Sequence, residues 1–185
     1  KDRQYTAKAG SLAHKSCQTA LYHIVHAVCR WFAPVLSFTA FEIWQQIPGV
    51  NAKNTIFWET WYEGLFESDE NAKITEDDWK VIDAVKTECN KAMEVMRKDG
   101  GIGGSLEAEV TLHASDSIAE VLEKLEDELR FVLITSQAKV VRGGEGTATE
   151  LEGLSLTIVA SEHEKCDRCW HRREDVGQNE THPAL

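Results

Sequence analysis

Residues 105–133 read "SLEAEVTLHASDSIAEVLEKLEDELRFVL", and the spacing of their apolar side chains changes partway. Leu106, Ala108, Val110, Leu112 and Ala114 alternate strictly with polar residues. Successive side chains of a strand point to opposite faces, so this alternation predicts a half-buried strand. After Ser115 the period lengthens. Ile118, Val121, Leu122, Leu125 and Leu129 recur at three- and four-residue steps, which predicts a single helix reaching Leu133. Two more strands are expected at "SQAKVV" (136–141) and "SLTIVASE" (155–162), separated by the loop "RGGEGTATELEG". A strand–helix–strand–strand block over 101–162 therefore closes an α+β chain.

The preceding hundred residues read as helices. In "CQTALYHIVHAVCRWF" (17–32), Leu21, Ile24, Val25, Val28 and Phe32 share one apolar face, and Pro34 ends the helix because it lacks an N–H. A second helix is expected at "SFTAFEIW", with Thr39 and Glu42 as a capping box, Phe41, Trp44 and Ile47 along it, and Pro48–Gly49 closing it. Residues 49–74 show no period but hold Phe57, Trp58, Trp61, Tyr62, Leu65 and Phe66, the pattern of a long connection pinned by aromatics. Thr75 and an acidic first turn open a third helix, on which Trp79, Ile82, Val85, Cys89, Met93 and Met96 keep helical spacing up to Gly100–Gly101. Three regions result: a helical bundle at 1–100, the small α/β block at 101–162, and a tail at 163–185. "GGIGGS" (100–105) precedes a strand and lacks the Lys-Ser/Thr ending of a phosphate loop, so it reads as a hinge.

Bulk properties narrow the function. A hydrophobic content of 42% beside 28% charged residues fits a folded globular chain rather than disorder. No apolar run approaches the ~20 residues of a membrane span, so no membrane partner is expected. "KDRQYTAKAG" lacks the apolar core of a signal peptide and reads as a cut through a longer chain. Cys17, Cys29 and Cys89 sit in helical stretches as small buried residues, which points to a reducing, cytoplasmic setting. The net charge of −11 excludes bulk electrostatic binding of nucleic acid. The charge is uneven, however: before residue 36, Lys1, Arg3, Lys8, Lys15 and Arg30 face only Asp2. That basic edge suits an anionic partner chosen by fit, or a solvated gradient without a role.

Chemistry-bearing residues concentrate in the tail, "EKCDRCWHRREDVGQNETHPAL". Cys166 and Cys169 have the spacing of two thiolate ligands on a tight turn, and a structural zinc ion needs four ligands. His171 and His182 are available to complete a Cys₂His₂ set, and a redox pair is the other reading of Cys-x-x-Cys. No nucleophile–base order, nucleotide fingerprint or catalytic constellation is recognisable elsewhere, so no active site is expected in this chain.

Taken in order, "CQTALYHIVHAVCRWFAPVLSFTAFEIW", "FWETWYEGLF", "GGIGGSLEAEVTL", "DELRFVLITSQAKV" and "EKCDRCWH…DVG…HPAL" resemble the C-terminal region of the bacterial isoleucyl-tRNA synthetases along essentially all 185 residues. The "W-x-AP-x-L-x-F-x-A-x-E-x-W" pattern is shared with valyl and leucyl relatives, whereas "GGSLEAEVTL" together with "CxRCW" looks isoleucyl. The resemblance implies a partial anticodon-binding helical bundle, then the small β-α-β-β block, then a truncated zinc-ribbon-like tail. In that family a second Cys-x-x-Cys follows "HP-x-L", so Cys166 and Cys169 are expected to be half of a structural zinc site. The isoleucine–tRNA ligase activity, with ATP and Mg²⁺, is expected to lie in N-terminal domains of the same chain that have no counterpart here. What remains is recognition of tRNA(Ile) near its anticodon. Arg168 and Trp170 match the Arg and Trp of "CxRCW", suited to a phosphate or base edge and to stacking of an unpaired base. Lys8, Lys15 and Arg30 are expected to contact the RNA backbone. The alternative is a module that braces the synthetase without reading RNA.

Overall fold

The computed structural model describes residues 2–50, 54–67, 69, 72–182 and 184–185. It divides into two compact units, Lys1–Glu67 and Ser68–Leu185. The third helix lies in the second unit because it packs on the sheet and shares its core.

In the first unit a π-helical turn at Asp2–Thr6 precedes α1 (Leu12–Phe32). Ser11 caps α1, its hydroxyl oxygen accepting the His14 N–H at 3.3 Å. The helix stops before Pro34, as expected, and α2 (Ser37–Gln46) follows after one turn. The expected capping box does not form: the N-cap is Leu36, Thr39 lies inside the helix, and the Ser37 hydroxyl reaches back to the Ala33 carbonyl at 3.0 Å. Cys29 and Ala33 meet Ala40, Trp44, Ile47 and Ile56 in a small core, with Val25 against its edge.

The expected apolar face of α1 is open. Its buried residues are His26, Ala27 and Cys29, whereas Leu21, Ile24, Val28 and Phe32 are between 38% and 52% exposed. Apolar residues lie on more than one side of this helix, so its period alone does not choose the packed side. The aromatic connection differs from expectation too. Ile56, in a 3₁₀ turn at Ile56–Trp58 capped by Thr55, is its buried anchor, while Phe57, Trp58, Trp61 and Phe66 stand in solvent. Asn51–Lys53, Ser68, Glu70 and Asn71 of that connection lie outside the described residues.

The second unit is a sheet with helices on one face. α3 (Glu76–Lys98) opens with a true capping box: the Asp78 N–H donates to the Thr75 hydroxyl at 3.3 Å and the Thr75 N–H to the Asp78 carboxylate at 2.8 Å. After a 3₁₀ turn at Ser105–Glu107 come β1 (Ala108–Ala114), α4 (Asp116–Glu123), α5 (Leu129–Leu133), β2 (Gln137–Arg142), β3 (Thr147–Ala148) and β4 (Leu154–Ala160). The sheet order is β2-β1-β4-β3, with β1 parallel to β2 and antiparallel to β4. Burial along β1 alternates without a break. Val110 and Leu112 point into a core shared with Ile82, Val85, Cys89 and Met93 of α3 and with Leu122, Leu129 and Leu133. Glu109, Thr111 and His113 line the opposite face, half-buried.

The helix expected to run to Leu133 is broken into α4, a 3₁₀ turn at Glu126–Glu128 and α5. Neither Gly nor Pro marks the break. It is held by tertiary ion pairs: Lys124 donates to both Asp78 carboxylate oxygens at 2.8 Å, and Lys73 pairs with Glu126, which adopts φ +49°. The loop after β2 contains the unexpected edge strand β3. Gly144 in that loop has φ +102°, and a Cβ there would come within 2.6 Å of the His113 ring, so the loop's close approach needs glycine.

Candidate nucleic-acid interface and zinc half-site

The Cys-x-x-Cys segment is a hairpin with a single bridge, Lys165 opposite Arg172. The Cys166 N–H donates to the His171 carbonyl at 2.9 Å, the Arg173 N–H to the Glu164 carbonyl at 3.2 Å, and the Trp170 N–H to the Cys166 carbonyl at 2.9 Å. This last bond closes a tight reversal around both cysteines and puts Trp170 at φ +69°. A bulky side chain in the left-handed region costs about 1–3 kcal/mol where glycine would be at ease. The strained residue is also an exposed one: the Trp170 indole is 54% accessible, with the Lys165 ammonium 5.2 Å from its ring centre.

The hairpin docks through its second strand. The Arg172 N–H donates to the Ser136 hydroxyl at 2.6 Å, and that hydroxyl donates to the Leu106 carbonyl at 2.5 Å. His171 is fully buried, edge-on to Phe131 with ring centres 5.5 Å apart, and its Nδ1 lies 3.5 Å from the Arg130 guanidinium. His171 is thus a packing residue. His182 stands exposed on the final turns. Among the described residues no group of three His, Cys, Asp or Glu is placed to hold a metal, so the Cys₂His₂ alternative is not assembled. Pro183, part of the "HP-x-L" stretch, lies outside the described residues.

The cysteine pair itself suits zinc as far as it goes. None of the five cysteines forms a disulfide. Burial pushes the Cys166 thiol up, but hydrogen bonds from the backbone of Cys169, Arg168 and Trp170 and from the Cys169 side chain outweigh it, leaving the thiol below its ordinary value. That favours thiolate, the form a metal takes. Burial instead pushes the core thiol of Cys89 up to about 12, which fits its role as a small apolar residue. Cys166 and Cys169 thus offer two of the four ligands of a tetrahedral ion.

The basic residues of the first unit divide. Lys8, just before α1, and Lys15, in its first turn, are exposed, and neither has an ion-pair partner among the described residues. Arg30 is different. Its side chain is only 12% exposed; it donates to Glu59 at 2.5 Å and to the His26 carbonyl at 2.9 Å, and its guanidinium lies over the Trp44 and Tyr62 rings at 4.7 and 5.1 Å. His26 stacks on Tyr62, whose hydroxyl meets His23 at 2.7 Å. Arg30 clamps the Glu59–Tyr62 segment to α1 and is not presented to a phosphate. Its helical position gave no hint of this, because the acid and rings that hold it are distant in sequence.

Residues 1–112 match the family described as the anticodon-binding domain of tRNA ligase, a span that includes α1, α2, α3 and β1 as far as Leu112. Residues 164–185, the hairpin and the turns after it, match a zinc finger found in FPG and IleRS. Along its whole length the chain is similar to isoleucine–tRNA ligases: 53% identical to that of Psychromonas ingrahamii and to that of Pseudoalteromonas atlantica, each over 189 residues, and 54% identical to that of Saccharophagus degradans over 187. It spans about 20% of the length of these relatives. With the two helices of the first unit and α3 all inside the matched span, the chain belongs to the anticodon-binding domain family of tRNA ligases.

Proposed function

We propose that this chain is the part of an isoleucine–tRNA ligase that recognises tRNA(Ile) at its anticodon, with Arg168 and Trp170 as the reading residues. The observation that carries the reading is Trp170: an exposed indole held in a strained backbone conformation by a hairpin fixed to the fold. A flat apolar face offered to solvent is what an unpaired base stacks on, and Arg168 in the same turn suits a base edge or phosphate. Lys8 and Lys15 are backbone contacts in this reading, and Arg30 is not. Cys166 and Cys169 supply two of the four ligands of a structural zinc ion that stiffens the reversal. The intact ligase joins isoleucine to its tRNA with ATP and Mg²⁺ in the cytoplasm. Five cysteines without a disulfide suit that compartment, and no described helix is long and apolar enough to cross a membrane.

Trp170→Gly separates fold from function. Glycine adopts φ +69° without strain, so the hairpin is kept, while the loss of a stacked base weakens tRNA(Ile) binding by about 1–3 kcal/mol. Unaltered affinity in this variant, and in Arg168→Ala, would contradict the assignment.

A further inference from the structure

Between β2 and the Cys hairpin lies a polar cavity of about 300 Å³ on which Arg130, Lys139, Arg172 and Arg173 converge. The chain as a whole carries −11, yet four of its cations meet in this one hollow. Three carboxylates, Glu109, Asp127 and Glu174, share the wall. Glu109 is occupied, accepting the Ser161 hydroxyl at 2.5 Å with His163 3.7 Å away. On the basic side, Arg173 is braced by Asp175 at 2.8 Å, and Arg172 by the His163 carbonyl at 3.1 Å and Glu107 at 3.6 Å. These contacts brace the guanidinium groups at the wall, and each guanidinium has five N–H donors, more than the contacts use. Lys139 stands on the edge strand β2, exposed and with no ion pair among the described residues.

From this arrangement we infer that the cavity takes a backbone phosphate of the bound tRNA, with Lys139 and Arg172 as its principal donors. The proposal rests on the tRNA-recognition reading and extends it to a second, sequence-independent contact. A phosphodiester is chosen over a base because the wall has cations but no Phe, Tyr or Trp on which a base would stack. A volume at the small end of ligand sites suits one anionic group with its flanking sugar. Trp170 lies only two residues from Arg172, so one strand of RNA laid along the hairpin meets both. The two contacts differ in kind: Trp170 stacks a base, whereas the cavity holds register by charge.

The test is the salt dependence of binding of the 185-residue chain to tRNA(Ile) transcripts with native and altered anticodons. Lys139→Gln removes one phosphate contact, so the slope of log affinity against log salt flattens by about 0.7–0.9, and affinity near physiological salt falls about 5-fold on both transcripts alike. Lys98→Gln, remote from the cavity on α3, leaves slope and affinity unchanged. The Lys139 side chain is exposed and makes no hydrogen bond or ion pair among the described residues, so the substitution is expected to leave the fold intact; circular dichroism of the variant checks this. A Lys139→Gln slope equal to that of the unaltered chain would overturn the cavity proposal and leave the anticodon reading standing. A flattened slope combined with equal binding of the two transcripts would support the cavity and refute the anticodon reading. No binding of either transcript refutes both.

Discussion

Residues 1–67 and 68–185 are held together by different means. In the second unit, α3, α4, α5 and the sheet turn their apolar residues to one place, and the core from Ile82 to Leu156 is continuous. In the first, the apolar core of the described residues is small: Cys29, Ala33, Ala40, Trp44, Ile47 and Ile56, with Val25, Phe41 and Val50 against it. Beside it a polar cluster does comparable service: Arg30 bridges α1 to Glu59, lies over Trp44 and Tyr62, and fixes His26 between them. Such a cluster is directional where apolar burial is not, so one unit depends on charge and hydrogen-bond geometry and the other on area removed from water.

That contrast can be broken by substitution. The largest effect is expected at Leu112, fully buried on β1: Leu112→Ala costs about 2–5 kcal/mol in urea unfolding of the second unit. Ile24→Ala removes as many apolar atoms from a residue 52% exposed on α1 and stays within about 0.5 kcal/mol. Equal costs at the two sites would mean that the open face of α1 is in fact packed. Next comes the clamp. Arg30→Met keeps an unbranched apolar stem but leaves Glu59 without its partner, and is expected to cost about 2 kcal/mol, read as earlier proteolysis within residues 54–67. Arg30→Lys should rescue little, because an ammonium lacks the planar fork that reaches His26 and Glu59 together.

The smallest and most specific contrast is in pH. Burial, then the nearby Arg30 charge, holds the His26 imidazole below its usual pKa of 6.5. Its unfolded form therefore binds a proton first, and the first unit loses stability as pH falls below that value. In the second unit, the Lys124 ammonium and then the Thr75 N–H hold the Asp78 carboxyl down to about 2, against an ordinary 3.8. That contribution is complete above pH 3.8 and is lost as pH falls from there toward 2. Salt also screens Lys124, which is 37% exposed. The units should thus weaken in separate windows, followed by histidine and indole NMR signals. His26→Phe removes the upper window, Asp78→Asn the lower; a single shared transition would contradict the separation.

The same contrast explains what could be read in the sequence. β1 was legible because alternation places a side chain on one of only two faces, and in β1 one of them is apolar throughout. α3 was legible because its polar residues exclude all faces but one. α1 was not, since Leu21, Ile24 and Val28 describe as good a stripe as the one α2 covers. The break before α5 and the commitment of Arg30 depend on partners 46 and 29 residues away, beyond the reach of local pattern. In the tail, the cysteine spacing was legible as a tight reversal, while the left-handed backbone at Trp170 was not, because local preference disfavours it there. The cavity cations escaped for another reason: Arg130 and Lys139 join Arg172 and Arg173 only once the hairpin has docked on β2.

The most direct test of the recognition reading is equilibrium binding of this chain to two tRNA(Ile) transcripts, one with the native anticodon and one with an altered anticodon, at a single moderate salt concentration. The account predicts tighter binding of the native transcript, with the preference lost in Trp170→Gly; equal affinity for both transcripts in the unaltered chain would contradict it.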